Sequence, residues 1–326
     1  MRILVTGAAG HLGEGLVRVL RRQGRDVVGL DILSSPFVDV VASVTDADAM
    51  RAAAEGCGAI IHTATLHKPH VATHSQRQFV DTNVTGTLTV LETALAAGVP
   101  RVVFTSTTSA FGAALTPAPG APAVWITEDV ASIPKNIYGS TKTAAEDLCH
   151  LHHRRDGLSC VILRTSRFFP EPDDDPAKRS AFALQNAQTT EFTHRRVDVE
   201  DVVSAHLLAA ERAEELAFAR FIISAPTPFL REDAAGLSAD PTAVMDKRTP
   251  EWREIYRARG WRAPDSIGRV YDAGLAVDRL GWRPAHDMKA VLARVAAGGD
   301  ALSELAAQIG LKGYHGGDYR DGIYPV

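Results

Sequence analysis

The sequence has few of the features that mark secreted, membrane-spanning or nucleic-acid-binding proteins. It contains three cysteines in 326 residues, and an odd number at irregular spacing implies neither a disulfide framework nor a metal site. No apolar run approaches the ~20 residues that cross a bilayer, and the net charge of −4 gives no reason to expect nucleic acid or an anionic membrane as a partner. The first predicted strand starts next to Met1, so no signal peptide is expected. These absences together predict a cytoplasmic protein.

Side chains that often bind metals are present, but in patterns that predict other roles. Cys149 falls in a predicted helix and Cys160 in a predicted strand, so both are expected to be small buried apolar residues. His67, His70 and His74 share one predicted loop, but their spacing is not that of a zinc site on a defined helix. The sequence therefore predicts no metal centre.

Strand and helix patterns alternate through the first half of the chain, which is typical of an α/β protein. Short apolar runs with β-branched residues predict buried parallel strands. The predicted strands after the first are Val27–Leu30, Val38–Val41, Ala59–His62, Arg101–Thr105, Ser159–Leu163 and Phe221–Ile223. A long helix is predicted from about Ser75 to Gly98, and a loop without regular structure over 113–123. The alternation weakens after Phe168, where a substrate lobe is predicted to begin.

The first strand, turn and helix carry the clearest chemical signal. Ile3–Val5 is a short apolar run, and Gly7, Gly10 and Gly13 follow it at intervals of three before a helical apolar period begins. Glycine lacks the Cβ that would block a close approach, and a helix N-terminus offers free N–H groups to a pyrophosphate. The GxxGxxG spacing differs from the GxGxxG of many dinucleotide sites. By itself the motif is compatible with a dinucleotide site or with an ordinary strand-to-helix turn.

Polar residues follow two further strands at the edge where open α/β sheets bind ligands. Asp31 ends the second predicted strand, where a carboxylate can accept hydrogen bonds from both ribose hydroxyls of an adenosine and would repel a 2′-phosphate. This favours NAD over NADP, although a strand-end aspartate in an ordinary turn is the alternative. Thr63, Ala64 and Thr65 follow the fourth predicted strand and are expected to line the same site.

Tyr138 and Lys142 are four residues apart on a predicted helix, so their side chains share one helix face. Oxidation of a secondary alcohol needs a base that takes the hydroxyl proton while hydride leaves the carbon. A tyrosine phenol can do so when a nearby lysine ammonium lowers its pKa from about 10. Thr107, in a hydroxyl cluster after the fifth strand, can hold the substrate oxygen in line. A surface tyrosine with a solvated lysine is the alternative for this pair alone, but the order of all these features favours one catalytic site.

These pieces occur in the order found in one protein family. They are TGAAGHLG (6–13), IIHTA (60–64), NVTGT (83–87), FTSTTSAFG (104–112), YGSTK (138–142), LRTSRFFP (163–170), VDVEDV (197–202) and LGWRP (280–284). With Asp31, they make the chain resemble the extended short-chain dehydrogenase/reductase family, also called the NAD-dependent epimerase/dehydratase family. The resemblance implies an α/β fold with a doubly wound parallel Rossmann sheet of about seven strands and a smaller C-terminal lobe. It also implies bound NAD, a small sugar-type substrate, and a homodimer formed through the helix that carries Tyr138 and the one before it.

The resemblance also assigns domains and site residues. It implies an NAD-binding domain over 1–168, to which 196–224 returns, and a substrate-binding lobe over 169–195 and 225–326. The implied catalytic residues are Thr107 beside the substrate, Tyr138 as acid and base, and Lys142 as its electrostatic partner. The implied cofactor-binding residues are Gly7, Gly10, His11, Leu12, Gly13, Asp31, Ile32, Ser43, Val44, Thr63, Ala64, Thr65, Asn83, Tyr138 and Lys142. The implied substrate contacts are Thr107, Thr108, Arg167 and Phe168.

Some positions depart from the family pattern and bear on the substrate. Ser43–Val44 stands where an Asp before a β-branched residue often binds adenine, and Arg167 stands where nucleotide-sugar epimerases commonly have Asn. The stretch 170–196 lacks the Gly-rich segment of those enzymes, which weakens the case for a nucleotide-diphosphate substrate. Arg167 either binds a substrate carboxylate or phosphate, or forms a salt bridge with Glu171 or with the aspartates at 173–175.

The sequence predicts NAD-dependent hydride transfer at a secondary alcohol or keto carbon of a sugar-like substrate. A sugar or nucleotide-sugar epimerase is the first hypothesis, on the grounds of the family resemblance and the chain length, and LGWRP (280–284) is more typical of sugar-nucleotide members. A net dehydrogenase of a small sugar acid or polyol is the alternative, because SRFFPEP (166–172) is similar to a run in uronate dehydrogenases of the same family.

Two other outcomes are disfavoured by residues at the predicted site. A catalytically inactive NAD-binding regulator would have no reason to keep Thr107, Tyr138 and Lys142 together. Dehydratases of the family carry acidic residues after the catalytic threonine, whereas Thr108 and Ser109 stand there in this chain.

Overall fold

A fully parallel seven-stranded sheet forms the centre of the molecule. The computed structural model describes residues 1–173 and 176–313. The strands are β1 Ile3–Thr6, β2 Val27–Asp31, β3 Val40–Val41, β4 Ala59–His62, β5 Arg101–Thr107, β6 Val124–Ile126, β7 Ser159–Thr165, β8 Phe218–Ile223 and β9 Arg269–Tyr271. The main sheet has the order β3-β2-β1-β4-β5-β7-β8, and β6 and β9 form a separate parallel pair. The predicted doubly wound sheet of about seven strands is confirmed.

Helices cover the sheet and build the rest of the described chain. In order they are α1 His11–Arg22, α2 Ala47–Ala54, α3 Gln76–Phe79, α4 Gly86–Ala96, α5 Ile137–Asp156, α6 Pro176–Ala181, α7 Leu184–Glu191, α8 Val199–Leu216, α9 Ala234–Ala239, α10 Pro241–Arg248, α11 Trp252–Arg259, α12 Met288–Ala296 and α13 Glu304–Ile309. Asp46, Asn136 and Asp198 begin α2, α5 and α8 by accepting backbone N–H groups. Within the described ranges, no helix is long and apolar enough to cross a membrane.

Both faces of the main sheet are buried, as its continuous apolar strands predict. Ile3 and Val5 share one apolar cluster with Leu16 of α1 and Val202 of α8. Leu4 belongs to a second cluster on the opposite face, with side chains from α2, α4 and α5. Successive strand residues point to opposite faces, and each fully buried Ile, Leu or Val contributes about 1.5–3 kcal/mol. The two apolar layers therefore hold the sheet between its helices.

The strand order reverses beside β1, and this reversal places a ligand crevice. β2 and β3 lie on one side of β1, whereas β4 and β5 lie on the other. Connections that leave the sheet in opposite directions open a crevice at the carboxyl ends of the strands. The turn after β1 and residues 63–65 after β4 lie at this crevice, as the sequence predicts.

A smaller apolar core lies outside the main sheet. It contains Trp125 of β6 and Tyr256 of α11, together with buried side chains from α10 and α12. This part of the chain corresponds to the expected smaller C-terminal lobe. The proposed boundaries at 169–195 and 225–326 remain a prediction, and residues 314–326 lie outside the described part of the chain.

The predicted helix over 75–98 forms one unbroken helical stretch over 76–96, but its hydrogen-bonding pattern changes along its length. α3 ends at Phe79, a π-helix spans Val80–Thr85, and α4 begins at Gly86. A π-helix inserts one residue into each turn, which changes the direction of the side chains that follow. The apolar period of this stretch predicts a helix but carries no sign of that insertion.

The short strands differ most from the sequence-based prediction. β3 contains only Val40–Val41 rather than Val38–Val41, because the Asp39 carboxylate accepts the N–H of Gly29 at 2.8 Å in place of a backbone carbonyl. β6 and β9 were not predicted, since strands of three residues leave too little periodic signal. The loop over 113–123 contains neither helix nor strand, as predicted.

Candidate active site

Two glycines shape the turn between β1 and α1. Gly7 has a φ of +75°, and a Cβ on it would lie 2.6 Å from the backbone nitrogen of Ala64. A Cβ on Gly13 would lie 2.0 Å from the carbonyl oxygen of Gly7. Only glycine fits at both positions without moving the backbone. The start of α1 therefore packs closely on the ends of β1 and β4.

The first turn of α1 offers its backbone N–H groups to the crevice. Gly10 is the N-terminal cap residue and supplies no side-chain acceptor for them. Glu14, the acidic residue of this turn, is held by Arg18, with 2.6 Å between Oε1 and Nε. Free N–H groups and the positive end of the helix dipole stabilise an anion such as a pyrophosphate.

Asp31 is held beside the glycine turn by two backbone N–H groups. Its Oδ2 accepts from Ala9 at 3.0 Å and its Oδ1 from Leu33 at 2.9 Å. These bonds fix the carboxylate at the rim of the crevice, and each oxygen keeps a lone pair for a ribose hydroxyl. The same rim is lined by Ile32, Ser43 and Val44.

A cavity of about 540 Å³ connects the glycine turn to the catalytic residues. Besides Gly7, Gly10, His11, Leu12, Gly13 and the Asp31 rim, it is lined by Thr63, Ala64, Thr65, Thr107, Thr108, Tyr138, Arg167 and Phe168. Asn83 and Lys142 are the two predicted site residues that do not line it. Each is 2% exposed, so both lie behind the cavity wall.

Tyr138 and Thr107 meet where the end of β5 faces the start of α5. Asn136 caps α5 by accepting the N–H of Gly139 at 3.1 Å, which places Tyr138 in the first turn. The Tyr138 side chain is buried, and Tyr138 and Thr107 both line the cavity. Burial raises the pKa of Tyr138 to about 12, and the nearby Thr107 side chain opposes this rise.

Lys142 lies one turn further along α5 and packs against an aromatic ring. Its Nζ is 4.0 Å from the centre of the Phe104 ring, a cation–π contact. Burial lowers the pKa of Lys142 to about 7, while the nearby Glu146 carboxylate acts to raise it. The sequence predicted that Lys142 would lower the pKa of Tyr138, but in this structure burial dominates and favours the neutral form of both groups.

Asn83 connects two elements instead of facing the cavity. Its Oδ1 accepts the N–H of Leu66 at 2.8 Å, and its Nδ2 donates to Oγ1 of Thr141 at 3.0 Å. Leu66 follows β4, and Thr141 precedes Lys142 on α5. The side chain uses its bonds to hold the catalytic helix against the β4 loop, and the contact between Asn83 and the cofactor stays a prediction.

A buried chain of hydroxyls and one imidazole runs behind the cavity. The hydroxyl of Thr6 lies 2.7 Å from Nδ1 of His62, and Nε2 of His62 lies 3.1 Å from Oγ1 of Thr87. Thr87 donates to the carbonyl oxygen of Asn83 at 2.6 Å. Burial lowers the pKa of His62 to about 3, so the imidazole is neutral. The chain links the glycine turn to the π-helix.

Sequence reasoning missed a buried ion cluster one turn beyond Lys142. Glu146 is 1% exposed and accepts the Ser106 hydroxyl at 2.5 Å and Nη2 of Arg164 at 2.7 Å. Nε of Arg220 lies 2.9 Å from the same carboxylate. The cluster joins α5 to β5, β7 and β8. The sequence offered one signal for this cluster: Glu146 lies four residues after Lys142 and therefore on the same face of α5.

Arg167 is bound within its own loop. Its Nη1 lies 3.0 Å from Oδ2 of Asp173, and its Nη2 donates to the carbonyl oxygen of Glu171 at 3.2 Å. Of the two sequence-based alternatives for Arg167, the structure shows a salt bridge, formed with the first of the aspartates at 173–175. Asp174 and Asp175 lie outside the described residues.

The carboxylate of Glu171 closes the loop after β7 over the start of α1. Its Oε1 lies 2.8 Å from Nε2 of His11 and accepts the N–H of Lys312 at 2.9 Å. The edge of the His11 ring contacts Phe169, with 5.1 Å between ring centres. Burial acts to raise the pKa of Glu171, but the bonds to His11 and Lys312 outweigh it and lower that pKa. Three distant segments therefore meet at the glycine turn.

The comparisons with known proteins agree with this geometry. The profile of the NAD dependent epimerase/dehydratase family matches residues 3–222. A UDP-glucose 4-epimerase of Halalkalibacterium halodurans is 30% identical over 55% of this chain and 53% of its own, so the chain spans about half the length of that relative. A UDP-glucose 4-epimerase of Mycolicibacterium smegmatis is 32% identical over 64% of this chain and 73% of its own.

A solved structure extends the likeness to most of the chain. It is a short-chain dehydrogenase/reductase superfamily protein of Agrobacterium tumefaciens with bound NAD, which is 25% identical and has a TM-score of 0.64. The likeness covers 91% of this chain and 96% of that one.

The residues at the crevice fit a dinucleotide. The glycine turn leaves the space that a Cβ would fill, the start of α1 suits a pyrophosphate, and Asp31 suits a ribose diol. The family match covers more than half of the chain. The chain therefore belongs to the NAD-dependent epimerase/dehydratase family, and it is an enzyme whose cofactor is NAD.

Proposed function

We propose that the protein is an epimerase that inverts a secondary alcohol carbon of a sugar-type substrate by hydride transfer. The observation that carries this proposal is that Tyr138 and Thr107 line the same cavity as the glycine turn. The relatives support it, because two of those that match are named UDP-glucose 4-epimerase.

The reaction needs a group that moves a proton at the substrate oxygen. With a pKa of about 12, Tyr138 is protonated at neutral pH and can donate to a carbonyl or alkoxide oxygen. Lys142, with a pKa of about 7, can accept or return the compensating proton. Thr107 can hold the same oxygen in line. Bound NAD supplies a hydride acceptor and, once reduced, a hydride donor.

Epimerisation balances without a further reactant. The carbinol carbon loses a hydride and its oxygen loses a proton, which leaves a ketone. The hydride then returns to the opposite face of the ketone, and the proton returns to the oxygen. Neither an oxidised sugar nor NADH accumulates.

The loop after β7 favours a second candidate, a net dehydrogenase of a small sugar acid or polyol. Its SRFFPEP run (166–172) is similar to one in uronate dehydrogenases of the family, and Arg167 and Phe168 of this run line the cavity. In this case the ketone or lactone product and NADH both leave.

The fate of NAD distinguishes the two candidates. With UDP-glucose or UDP-galactose, we expect the purified protein to form the other epimer without accumulating NADH, and to retain NAD through dialysis. NADH that accumulates with glucuronate or a polyol, with no epimer formed from any sugar tested, would replace the epimerase by the dehydrogenase.

We also infer a cytoplasmic homodimer that forms through α4 and α5. The two helices pack against each other, and each exposes a large apolar side chain. Leu95 of α4 is 38% exposed and Leu151 of α5 is 49% exposed. Apolar side chains that stay exposed on adjacent helices are typical of an interface.

A further inference from the structure

An arginine that sequence analysis did not single out lines the cavity on the side formed by the loop after β7 and the C-terminal lobe. Arg195 follows α7, in a turn closed by the bond from its own N–H to the carbonyl oxygen of Glu191 at 2.8 Å. Its side chain lines the cavity together with Phe168, Tyr271 and Thr108. The turn thus places a guanidinium in the same space as Tyr138.

Arg195 uses only part of its hydrogen-bonding capacity. Its Nη2 donates to Oε1 of Glu191 at 2.6 Å. Its Nε is buried and has no hydrogen-bond partner among the described residues. A guanidinium has five N–H donors in a planar fork, and a buried donor without a partner is costly. Arg195 therefore keeps donors for a ligand.

Glu191 is shared by two arginines. Nε and Nη2 of Arg196 both lie 2.9 Å from Oε2 of Glu191. Arg196 is 1% exposed and also donates to the carbonyl oxygen of Phe169 at 3.0 Å. Glu191 and Arg196 thus form a buried pair, and Arg195 forms a second salt bridge with the same carboxylate, so that two guanidinium groups share one negative charge.

A second carboxylate of the described residues near this part of the cavity is paired as well. Asp173 accepts from Arg167 at 3.0 Å. Among the described residues on this side of the cavity, the carboxylates of Glu191 and Asp173 thus face three guanidinium groups, which leaves one positive charge in excess. Tyr271, which also lines the cavity, adds a phenol that can donate to an anion. The charges on this side of the cavity favour an anionic group.

We propose that Arg195 binds an anionic group of the substrate, so that the sugar carries a carboxylate or a phosphate. The proposal rests on the proposed function, since it takes this cavity as the substrate site. A planar fork matches both anions, because each presents two oxygens in one plane to paired N–H donors. Arg195 thereby determines specificity and takes no part in proton or hydride transfer.

Binding measurements on the NAD-saturated full-length protein test the proposal. D-glucuronate provides a carboxylate, D-glucose 1-phosphate and UDP-glucose provide phosphates, and D-glucose provides neither. Calorimetric titrations compare the wild type with Arg195→Gln and Arg195→Lys. Arg262→Gln is the control, because Arg262 is an exposed arginine with an aspartate 3.6 Å away and does not line the cavity.

We expect Arg195→Gln to weaken binding of the preferred anionic sugar about 10- to 100-fold. Arg195→Lys keeps the charge without the fork and should recover part of this loss. Binding of D-glucose and of NAD should not change, and Arg262→Gln should behave as the wild type. If Arg195→Gln weakens only the binding of glucuronate, the group that Arg195 binds is a carboxylate. If it weakens only the binding of the two phosphate ligands, that group is a phosphate.

Two results would overturn the proposal. One is unchanged binding of every anionic sugar in Arg195→Gln, and the other is an equal loss of NAD binding, which would assign Arg195 to the cofactor. Failure of the proposed function gives a different result. If no sugar is epimerised or oxidised but Arg195→Gln still loses the anionic sugar, Arg195 is a binding residue and the assigned reaction is wrong.

Discussion

Burial controls the protonation of the two side chains at the centre of the site. The pKa of Tyr138 is raised to about 12 and that of Lys142 is lowered to about 7, because a low-dielectric surrounding disfavours a charge on either group. The sequence predicted both residues from their spacing on one helix face. It could not predict the opposite pKa shifts, since the ring under Lys142 belongs to Phe104, from a distant strand.

The lowered pKa of Lys142 predicts opposite pH profiles for the two directions of hydride transfer. As pH rises through about 7, the Tyr138–Lys142 pair loses one proton. The deprotonated pair is the form that accepts the alcohol proton, so the rate of alcohol oxidation should rise and that of ketone reduction should fall. Single-turnover rates of NADH formation and consumption, measured on both sides of this pH, test whether the two rates change in these opposite directions.

A lysine variant separates this explanation from a general pH effect. Lys142→Met keeps the length of the side chain and removes its charge. The transition near pH 7 should then disappear from the oxidation profile. A transition that persists unchanged in Lys142→Met would assign it to another group.

At the scale of elements, α5 is the part that the sequence predicted best. Its cap at Asn136 and its helical period place Tyr138, Lys142 and Glu146 on one face. The role of Glu146 was not predicted, because its partners come from three strands that are separate in the sequence. Pairing between distant residues leaves no local pattern.

Replacement of Glu146 should destabilise the protein. Glu146→Gln leaves the buried Arg164 without a matching charge, and loss of one partner of a buried ion pair costs about 3–5 kcal/mol. Urea unfolding measures the change in free energy. Glu211→Gln is the control, because Glu211 is exposed and pairs with Arg25 at the surface, where a loss of about 1 kcal/mol or less is expected. Equal losses in the two variants would contradict the assigned role.

The π-helix at Val80–Thr85 is an element that the sequence does not predict. Its residues are ordinary for a helix, and only contact with the β4 loop and α5 explains why Asn83 leaves the regular helical position. The sequence predicts that Asn83 lies on this helix, but it does not predict which residues the Asn83 side chain contacts.

At the scale of the whole molecule, the sheet was predictable and the second lobe was not. Seven parallel strands follow from apolar runs that alternate with amphipathic helices, and the glycine turn marks the crevice. The lobe is built from short helices and two strands of three residues around a separate core. The lobe is stabilised by contacts between residues that are distant in the sequence, and local periodicity does not predict such contacts.

Buried histidines predict that the fold loses stability in mild acid. Burial lowers the pKa of His206 from 6.5 to about 4, so the folded state stays neutral while the unfolded state binds a proton below pH 6.5. From about pH 7.5 to about pH 5.5, the free energy of unfolding should fall by about 1.4 kcal/mol for each such histidine. His62 acts in the same direction, with a pKa lowered to about 3.

Unfolding in urea at these two pH values tests whether the free energy of unfolding falls on acidification. His206→Asn should be less stable than the wild type at both values but should lose less on acidification. His150→Asn, at an exposed position, should follow the wild-type pH dependence. A His206→Asn variant that loses as much stability on acidification as the wild type would exclude His206 as the source.

If the protein is a homodimer formed through α4 and α5, a charged substitution on the exposed face of α5 should lower its molecular mass in solution. Light scattering of the purified protein should give twice the mass of the 34.9 kDa chain. Leu151→Arg places a charge in the proposed interface and should shift the mass towards that of one chain. Leu311→Arg, at an exposed apolar position outside both helices, should leave the dimer intact. A wild type that runs as a monomer would contradict the prediction.

The central claim is that the Tyr138 hydroxyl moves the proton while hydride leaves or joins the substrate carbon. Tyr138→Phe removes this hydroxyl and keeps the ring, and Tyr256→Phe removes a buried hydroxyl that is bonded to Thr190 outside the cavity. The decisive measurement is turnover of the identified substrate by both variants, together with their affinity for NAD. The account predicts that Tyr138→Phe loses about 10²- to 10⁴-fold in turnover with NAD affinity unchanged, while Tyr256→Phe stays active. Near-normal turnover by Tyr138→Phe would contradict it.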